Sequence, residues 1–148
     1  MKRLSILALL LVVFTVNAVA QKVEKFTVAG NTYFGNKAIP PEITGKYWYE
    51  KSKEPIVEIN KDGSGFFQVH DVKAYPVEYW IETDATGKIL KKKSNTNANY
   101  QVVLILKYGS NGETGWKGSK TGTFDRIEVT MAYDMGYAII LGERFRKL

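Results

Sequence analysis

The chain has 148 residues, with 21 lysines and arginines, 15 aspartates and glutamates, one histidine and no cysteine. This length suits one domain, and the lack of cysteine excludes disulfides, thiol catalysis and cysteine-ligated zinc. The formal net charge of +6 predicts a mild preference for anionic surfaces. The basic residues are not clustered as in a nucleic-acid-binding protein, so we expect no nucleic-acid partner.

Residues 1–20 have the pattern of an export signal. Lys2 and Arg3 give a positive start, an apolar stretch follows, and Ala18-Val19-Ala20 forms a small-residue cleavage site. We expect cleavage before Gln21 and a secreted or periplasmic bacterial protein with a net charge of +4. The apolar stretch is too short for an anchor, and no later segment is apolar enough to span a bilayer. No integral membrane insertion is therefore expected after cleavage.

Residues 21–44 are expected to form an extended arm that packs on the domain. A weak alternation around Val23, Lys25 and Thr27 indicates at most a short strand. Gly30-Asn31 is a turn signal, and Pro40-Pro41 blocks a helix. One place for this arm to pack is over an end of the domain.

From Gly45 onwards, apolar and polar residues alternate with the period of two that is typical of half-buried antiparallel strands. Asp62-Gly63 predicts a hairpin, and the short links without helical periodicity argue against parallel strands with crossover helices. The predicted strands cover 46–50, 55–60, 65–71, 77–83, 87–92, 100–108, 122–133 and 136–146. Residues 45–148 are therefore predicted to form an all-β domain, an eight-stranded antiparallel up-and-down β-barrel.

This layout resembles the calycins, above all small bacterial lipocalin-like domains. The resemblance is carried by Gly45-Lys46-Tyr47-Trp48 in the first strand, by the hairpin Asp62-Gly63-Ser64-Gly65, and by a basic residue in the closing strand. Lipocalins typically carry Gly-x-Trp on the first strand and an arginine late in the barrel that packs across the Trp.

The resemblance implies one contact that closes the barrel. Trp48 or Tyr47 is expected to contact Arg144 or Arg146, with Trp48 and Arg144 as the leading pair. A guanidinium group over an aromatic face contributes about 0.5–2 kcal/mol.

An eight-stranded barrel has room for its own side chains or for one small ligand. The leading hypothesis is an exported binding protein that holds a small apolar or amphipathic molecule. The candidate ligand-binding residues, in the barrel interior and at its mouth, are Ile59, Phe67, Val69, Tyr79, Ile105, Trp116, Val129, Met131, Tyr137 and Ile139. The same side chains can instead simply fill the barrel. The alternative is then an exported protein–protein interaction module of the inhibitor, immunity or envelope-assembly type.

Two tryptophans bear on this choice. Trp116 lies in a glycine-rich loop, residues 109–122, where it is either a binding-loop residue or a cover for the barrel mouth. Trp80 falls on the polar side of its strand, and packing under the N-terminal arm is favoured over contact with a partner. The lysines at 91–93 are interpreted as a charged turn that keeps an edge soluble.

No motif selects a catalytic centre. The lone His70 cannot form a multi-histidine metal site and is expected at the surface or rim. The acidic pattern around Asp62 lacks the glutamate that ends a calcium loop, because the twelfth position is Val69. Nothing selects a catalytic pair among the carboxylates. We therefore expect no catalytic residue, no metal and no cofactor, and hence no enzyme.

Overall fold

The computed structural model describes residues 22–93, 99–109, 123–132 and 135–148. No helix within those ranges is long and apolar enough to cross a membrane. The strands are β1 (Val23–Val28), β2 (Asn31–Asn36), β3 (Gly45–Tyr49), β4 (Ile56–Ile59), β5 (Ser64–Phe67), β6 (Tyr75–Thr83), β7 (Lys92–Lys93), β8 (Tyr100–Tyr108), β9 (Phe124–Ala132), β10 (Tyr137–Ile140) and β11 (Glu143–Lys147).

Eight of these strands close into an antiparallel barrel. Their order around the wall is β3-β4-β5-β6-β8-β9-β10-β11, and β11 pairs back with β3. With β7 set aside, each strand pairs with its neighbours along the chain, and β6 pairs directly with β8. The predicted eight-stranded antiparallel up-and-down barrel is confirmed.

Three of the predicted strands differ from the observed ones. The predicted strand 65–71 ends at Phe67, and the residues after it form a loop. Residues 87–92 do not form a barrel strand, since only an isolated bridge at Ile89 and the short strand β7 pair there. The predicted strand 136–146 is a hairpin of β10 and β11, turned at Leu141 and Gly142 with φ of 51° and 81°. Two successive positive φ values are typical of a tight hairpin turn. Because leucine rarely adopts positive φ, this turn was not expected.

The N-terminal segment is a β-hairpin and not the extended arm that we expected. β1 and β2 turn at Ala29 and Gly30, both with positive φ, and β2 pairs with the end of β6. The hairpin therefore extends the sheet past the barrel wall. Its inner side lies over the outside of the wall.

The contact between hairpin and wall is a small second core. Phe26 of β1 packs edge-on against Trp80 at 5.0 Å between ring centres and against Phe124 at 5.1 Å. Ile105 belongs to the same cluster and has no exposed surface. Trp80 is thus buried under the N-terminal segment, which confirms its predicted packing.

The chain between β2 and β3 closes one end of the barrel. Ile39 and Ile43 of this segment join the interior cluster and are buried. The Tyr47 hydroxyl donates to the Ile43 carbonyl, and the Lys147 ammonium donates to the Glu42 carbonyl at 2.8 Å. The opposite end, formed by loops 50–55 and 68–74 and the turn 141–142, is called the mouth below.

Bulky side chains fill the barrel. The interior cluster comprises nineteen buried residues and includes Phe67, Phe145, Tyr47 and Tyr79. The Tyr79 hydroxyl donates to the Phe66 carbonyl at 2.8 Å. Burial raises the pKa of Tyr79 well above its usual value, because a phenolate would lose its hydration there. The interior thus consists of packed side chains, and the hydroxyls of Tyr47 and Tyr79 bond to the backbone.

Gly65 lies where β4 and β5 approach most closely. A β-carbon there would lie 1.9 Å from the Glu58 backbone oxygen and 2.9 Å from the Tyr79 ring. We expect Gly65→Ala to lower the free energy of unfolding by about 3 kcal/mol or more, because a backbone atom must move and the strand pairing must shift. Urea denaturation followed by tryptophan fluorescence measures this change.

Gly30→Ala is the matched control. Gly30 has φ of 80° and no atom within 4 Å of the added β-carbon, so only the conformational cost of about 1–2 kcal/mol applies. Equal losses of stability in the two variants would contradict the close packing at Gly65.

Candidate functional site

Most of the predicted interior residues lie together inside the barrel. Five of them lie on the inward face of their strands and Val69 lies in the loop that follows β5; the six are Ile59, Phe67, Val69, Tyr79, Val129 and Met131. Val69 is only partly buried and lies on the edge of the cluster. All of them pack against other side chains of the chain.

The prediction for Ile105 was wrong. Its strand β8 is apolar on both faces, so the period of two could not choose the inward one. The pairing sets the choice, because Leu104 lies opposite both Ile81 of β6 and Ile127 of β9. Ile105 therefore points outward, under the N-terminal hairpin.

Tyr137 and Ile139 were also predicted inside, and this too was wrong. Both are half-buried on the outer face, while Ala138 and Ile140 belong to the interior cluster. All four residues of β10 are apolar, so the alternation that marks a face is missing. Pairing with β9, where Met131 lies opposite Ala138, selects the smaller residue for the interior.

The structure brings Trp48 together with Arg146 and not with Arg144. Trp48 lies on the outer face of β3, directly opposite Arg146 of β11. Arg144 lies opposite Ile139, with its guanidinium carbon 4.9 Å from the centre of the Tyr137 ring. Trp116, the remaining candidate, lies outside the described residues.

The mouth carries a cleft of about 630 Å³, called the rim cleft below. Loops 50–55 and 68–74 form its sides, and Ile56 at the start of β4 lies between them. Polar groups from Ser52, Glu54, His70 and Lys73 line it beside apolar ones. It therefore offers hydrogen-bond donors and acceptors next to apolar surface.

One buried amide side chain fixes both loops of the rim cleft. Gln68 is 8% exposed. Its Oε1 accepts from the Ile56 amide at 3.0 Å, and its Nε2 donates to the Glu54 carboxylate at 3.1 Å and to the Val72 carbonyl at 3.0 Å. Because buried polar groups are costly to leave unpaired, these bonds hold the two loops in one arrangement.

His70 links the loop 68–74 to the hairpin of β10 and β11. Its Nε2 lies 2.9 Å from Oε2 of Glu143, and its ring meets Tyr49 edge-on at 4.8 Å. This contact lies between the rim cleft and a smaller cleft of about 370 Å³ beside Glu50 and Arg144. His70 is therefore a rim residue, as predicted.

The rim cleft is lined by both polar and apolar side chains. Across the described ranges, no group of three histidine, cysteine, aspartate or glutamate side chains is placed to hold a metal ion. Sequence reasoning missed Gln68 because glutamine on the polar side of a strand is normally solvated. No sequence signal distinguishes a buried glutamine from an exposed one.

No family model, curated protein or solved structure matches this chain. The resemblance drawn from Gly45-Lys46-Tyr47-Trp48 therefore stays a prediction. A barrel by itself does not choose between a ligand and a protein partner. The choice rests on the geometry of the mouth and of the outer wall.

Replacing Gln68 with methionine tests the role of the buried amide. Methionine has a similar size and cannot make the three bonds. We expect Gln68→Met to lower the free energy of unfolding by about 1–3 kcal/mol, because the Ile56 amide and the Val72 carbonyl lose their partner. The amide NMR signals of the two rim loops should shift or broaden while those of β9 and β10 stay in place.

Gln101→Met is the control, because Gln101 bonds the exposed Glu128 at 3.0 Å on the outer wall. It should change stability by no more than about 0.5 kcal/mol. If Gln68→Met left the free energy of unfolding and the loop NMR signals unchanged, other contacts would hold the rim loops.

Proposed function

We propose that this chain is an exported binding protein that holds a small amphipathic molecule in the rim cleft. The observation that carries this proposal is the Gln68 network, which gives the cleft a fixed shape before any ligand arrives. Ligand sites are usually largely pre-formed and have volumes of roughly 300–1,000 Å³. The rim cleft, at about 630 Å³, falls in that range.

The filled interior supports a site at the mouth. Phe67, Tyr79 and Met131, which were candidates for ligand contacts inside, are at most 3% exposed and pack against other residues. A ligand among them would have to displace close-packed side chains, which costs several kcal/mol. The rim cleft is open to the ligand without such a change.

Closing the rim cleft with a large side chain tests the proposal. Ala74 lines the cleft, so Ala74→Trp should block it without touching the barrel core. Native mass spectrometry of protein incubated with a small-molecule extract of its own host should show one bound species on the wild-type chain. We expect at least a tenfold loss of that species in Ala74→Trp.

Ala85→Trp, in an exposed turn far from the mouth, is the control and should retain the bound species. A wild-type chain that binds nothing, or an Ala74→Trp variant that binds as well as wild type, would contradict the proposal.

A second candidate function is a protein–protein interaction module that uses the outer wall. In the described part of the chain, the aromatic side chains with exposed surface include Phe66, at 41%, on the outer face of β5. Trp48 of β3 lies on the same outer wall. It pairs with Arg146 of β11 on one side and with Ile56 of β4 on the other. Tryptophan, tyrosine and arginine on one surface are typical of binding hot spots. The N-terminal hairpin leaves this side of the barrel uncovered.

The double variant Phe66→Ser/Arg146→Gln tests the outer wall. If a partner binds there, affinity capture from an envelope extract of the host should recover at least tenfold less of it with this variant, a loss of about 1.4 kcal/mol. Leu90→Ser, at a residue that is 46% exposed beside the end of β6, should recover as much as wild type. Equal recovery with both variants would remove the outer wall as the site.

A further inference from the structure

A second concave surface lies on the outer wall at the end of the barrel away from the mouth. It forms where β6 ends and β8 begins, beside β7, and has a volume of about 420 Å³. Lys88, Leu90, Lys92, Val103 and Arg126 line it. This surface is called the cationic groove below.

The only carboxylate among the residues that line the cationic groove is already neutralised. Glu82 is 7% exposed. Arg126 donates to the same Glu82 oxygen from Nε at 2.9 Å and from Nη2 at 2.7 Å. The guanidinium group also lies over the Tyr33 ring, with its carbon 3.9 Å from the ring centre. This pair is therefore a fixed, neutral part of the groove wall.

The positive charge of the groove comes from two lysines. Within the described ranges, neither Lys88 nor Lys92 lies within ion-pair distance of a carboxylate. Asp84 is near Lys88 and attracts it electrostatically, but the two form no ion pair, and Asp84 Oδ1 accepts from the Thr86 amide at 2.8 Å, the Thr86 hydroxyl at 2.6 Å and the Lys88 amide at 3.0 Å. Lys91 also lines the groove, but its ammonium bonds Glu42 at 3.3 Å. Lys88 and Lys92 are thus available to an anion.

Apolar surface lies directly beside these lysines. Leu90 is 46% exposed and lines the groove together with Val103. Val103 is half-buried on the outer face of β8, two residues along the strand from Gln101, which pairs with Lys92. A cationic rim beside an exposed apolar strip matches a molecule with a negative head and an apolar chain.

We propose that the cationic groove binds a free single-chain anionic amphiphile, with its head at Lys88 and Lys92 and its chain along Leu90 and Val103. This site is separate from the rim cleft, so it adds a second ligand site to the proposed function. A bilayer surface fits less well, because electrostatic membrane binding takes clusters of four to eight lysines or arginines. Among the described residues, three lysines line the groove, and Lys91 of these is bonded to Glu42.

The test uses laurate below its micelle concentration as the probe. In an NMR titration of the full chain, we expect the amide signals of Leu90, Val103 and Arg126 to shift. Lys88→Gln/Lys92→Gln should weaken laurate binding at least tenfold, and uncharged dodecanol should bind wild type at least tenfold more weakly than laurate does. Leu90→Ser, a change at an exposed position, should also weaken binding.

Lys25→Gln/Lys53→Gln is the matched control, because it removes the same charge at two exposed positions outside the groove. It should bind laurate as wild type does, and so should Ala74→Trp, which blocks only the rim cleft. Unchanged laurate binding in Lys88→Gln/Lys92→Gln would overturn the proposal. So would dodecanol binding as tight as that of laurate, or shifts confined to the rim cleft. Sedimentation with phosphatidylglycerol vesicles without binding of monomeric laurate would overturn it in favour of a membrane contact.

Discussion

The pairing of β11 with β3 is the interaction on which the rest of the structure depends. Without it, the strands from β3 to β11 would form an open, twisted meander with two free edges. With it, Phe145 lies opposite Tyr49 and both side chains join the interior. Closure therefore fixes which face of every strand points inward. Because the inward residues are large, the same pairing leaves the rim and the outer wall as the places where another molecule can bind.

The two ends of the barrel are built differently, and each of the two proposed ligand sites lies near a different end. At the end where β3 begins, Ile39 and Ile43 pack into the interior and act as a plug. At the mouth, the Gln68 side chain bonds to both rim loops, which border a cleft. The cationic groove lies outside the wall near the plugged end. The barrel thus has an interior filled by side chains and presents chemically distinct surfaces at its two ends.

The sequence could predict those features of the fold and the site that depend on neighbouring residues in the chain, and not those that depend on long-range pairing. Asp62-Gly63 predicted its hairpin correctly, because Gly63 adopts φ of 81° and the Asp62 carboxylate accepts from the Ser64 amide at 3.0 Å. The burial of Trp80 followed from an apolar residue on a polar face. The inward face of β8 was not predictable, since Val103 and Ile105 are as apolar as their neighbours and only long-range pairing separates them. Gln68 and the turn at Leu141 were missed for the same reason, because tertiary contacts and not local preference determine them.

Native-state amide hydrogen exchange across the seam between β3 and β11 tests the central claim most directly. The Glu50 amide donates to the Arg144 carbonyl at 2.9 Å at this seam. If the closed barrel is one cooperative unit, the amides of Glu50 and β11 exchange only when the whole barrel unfolds. Their free energy of opening then equals that of global unfolding, as it does for the amides at the centre of β8. Exchange at the seam through a much smaller opening free energy, while β8 stays protected, would show that the wall is not closed and would contradict the account.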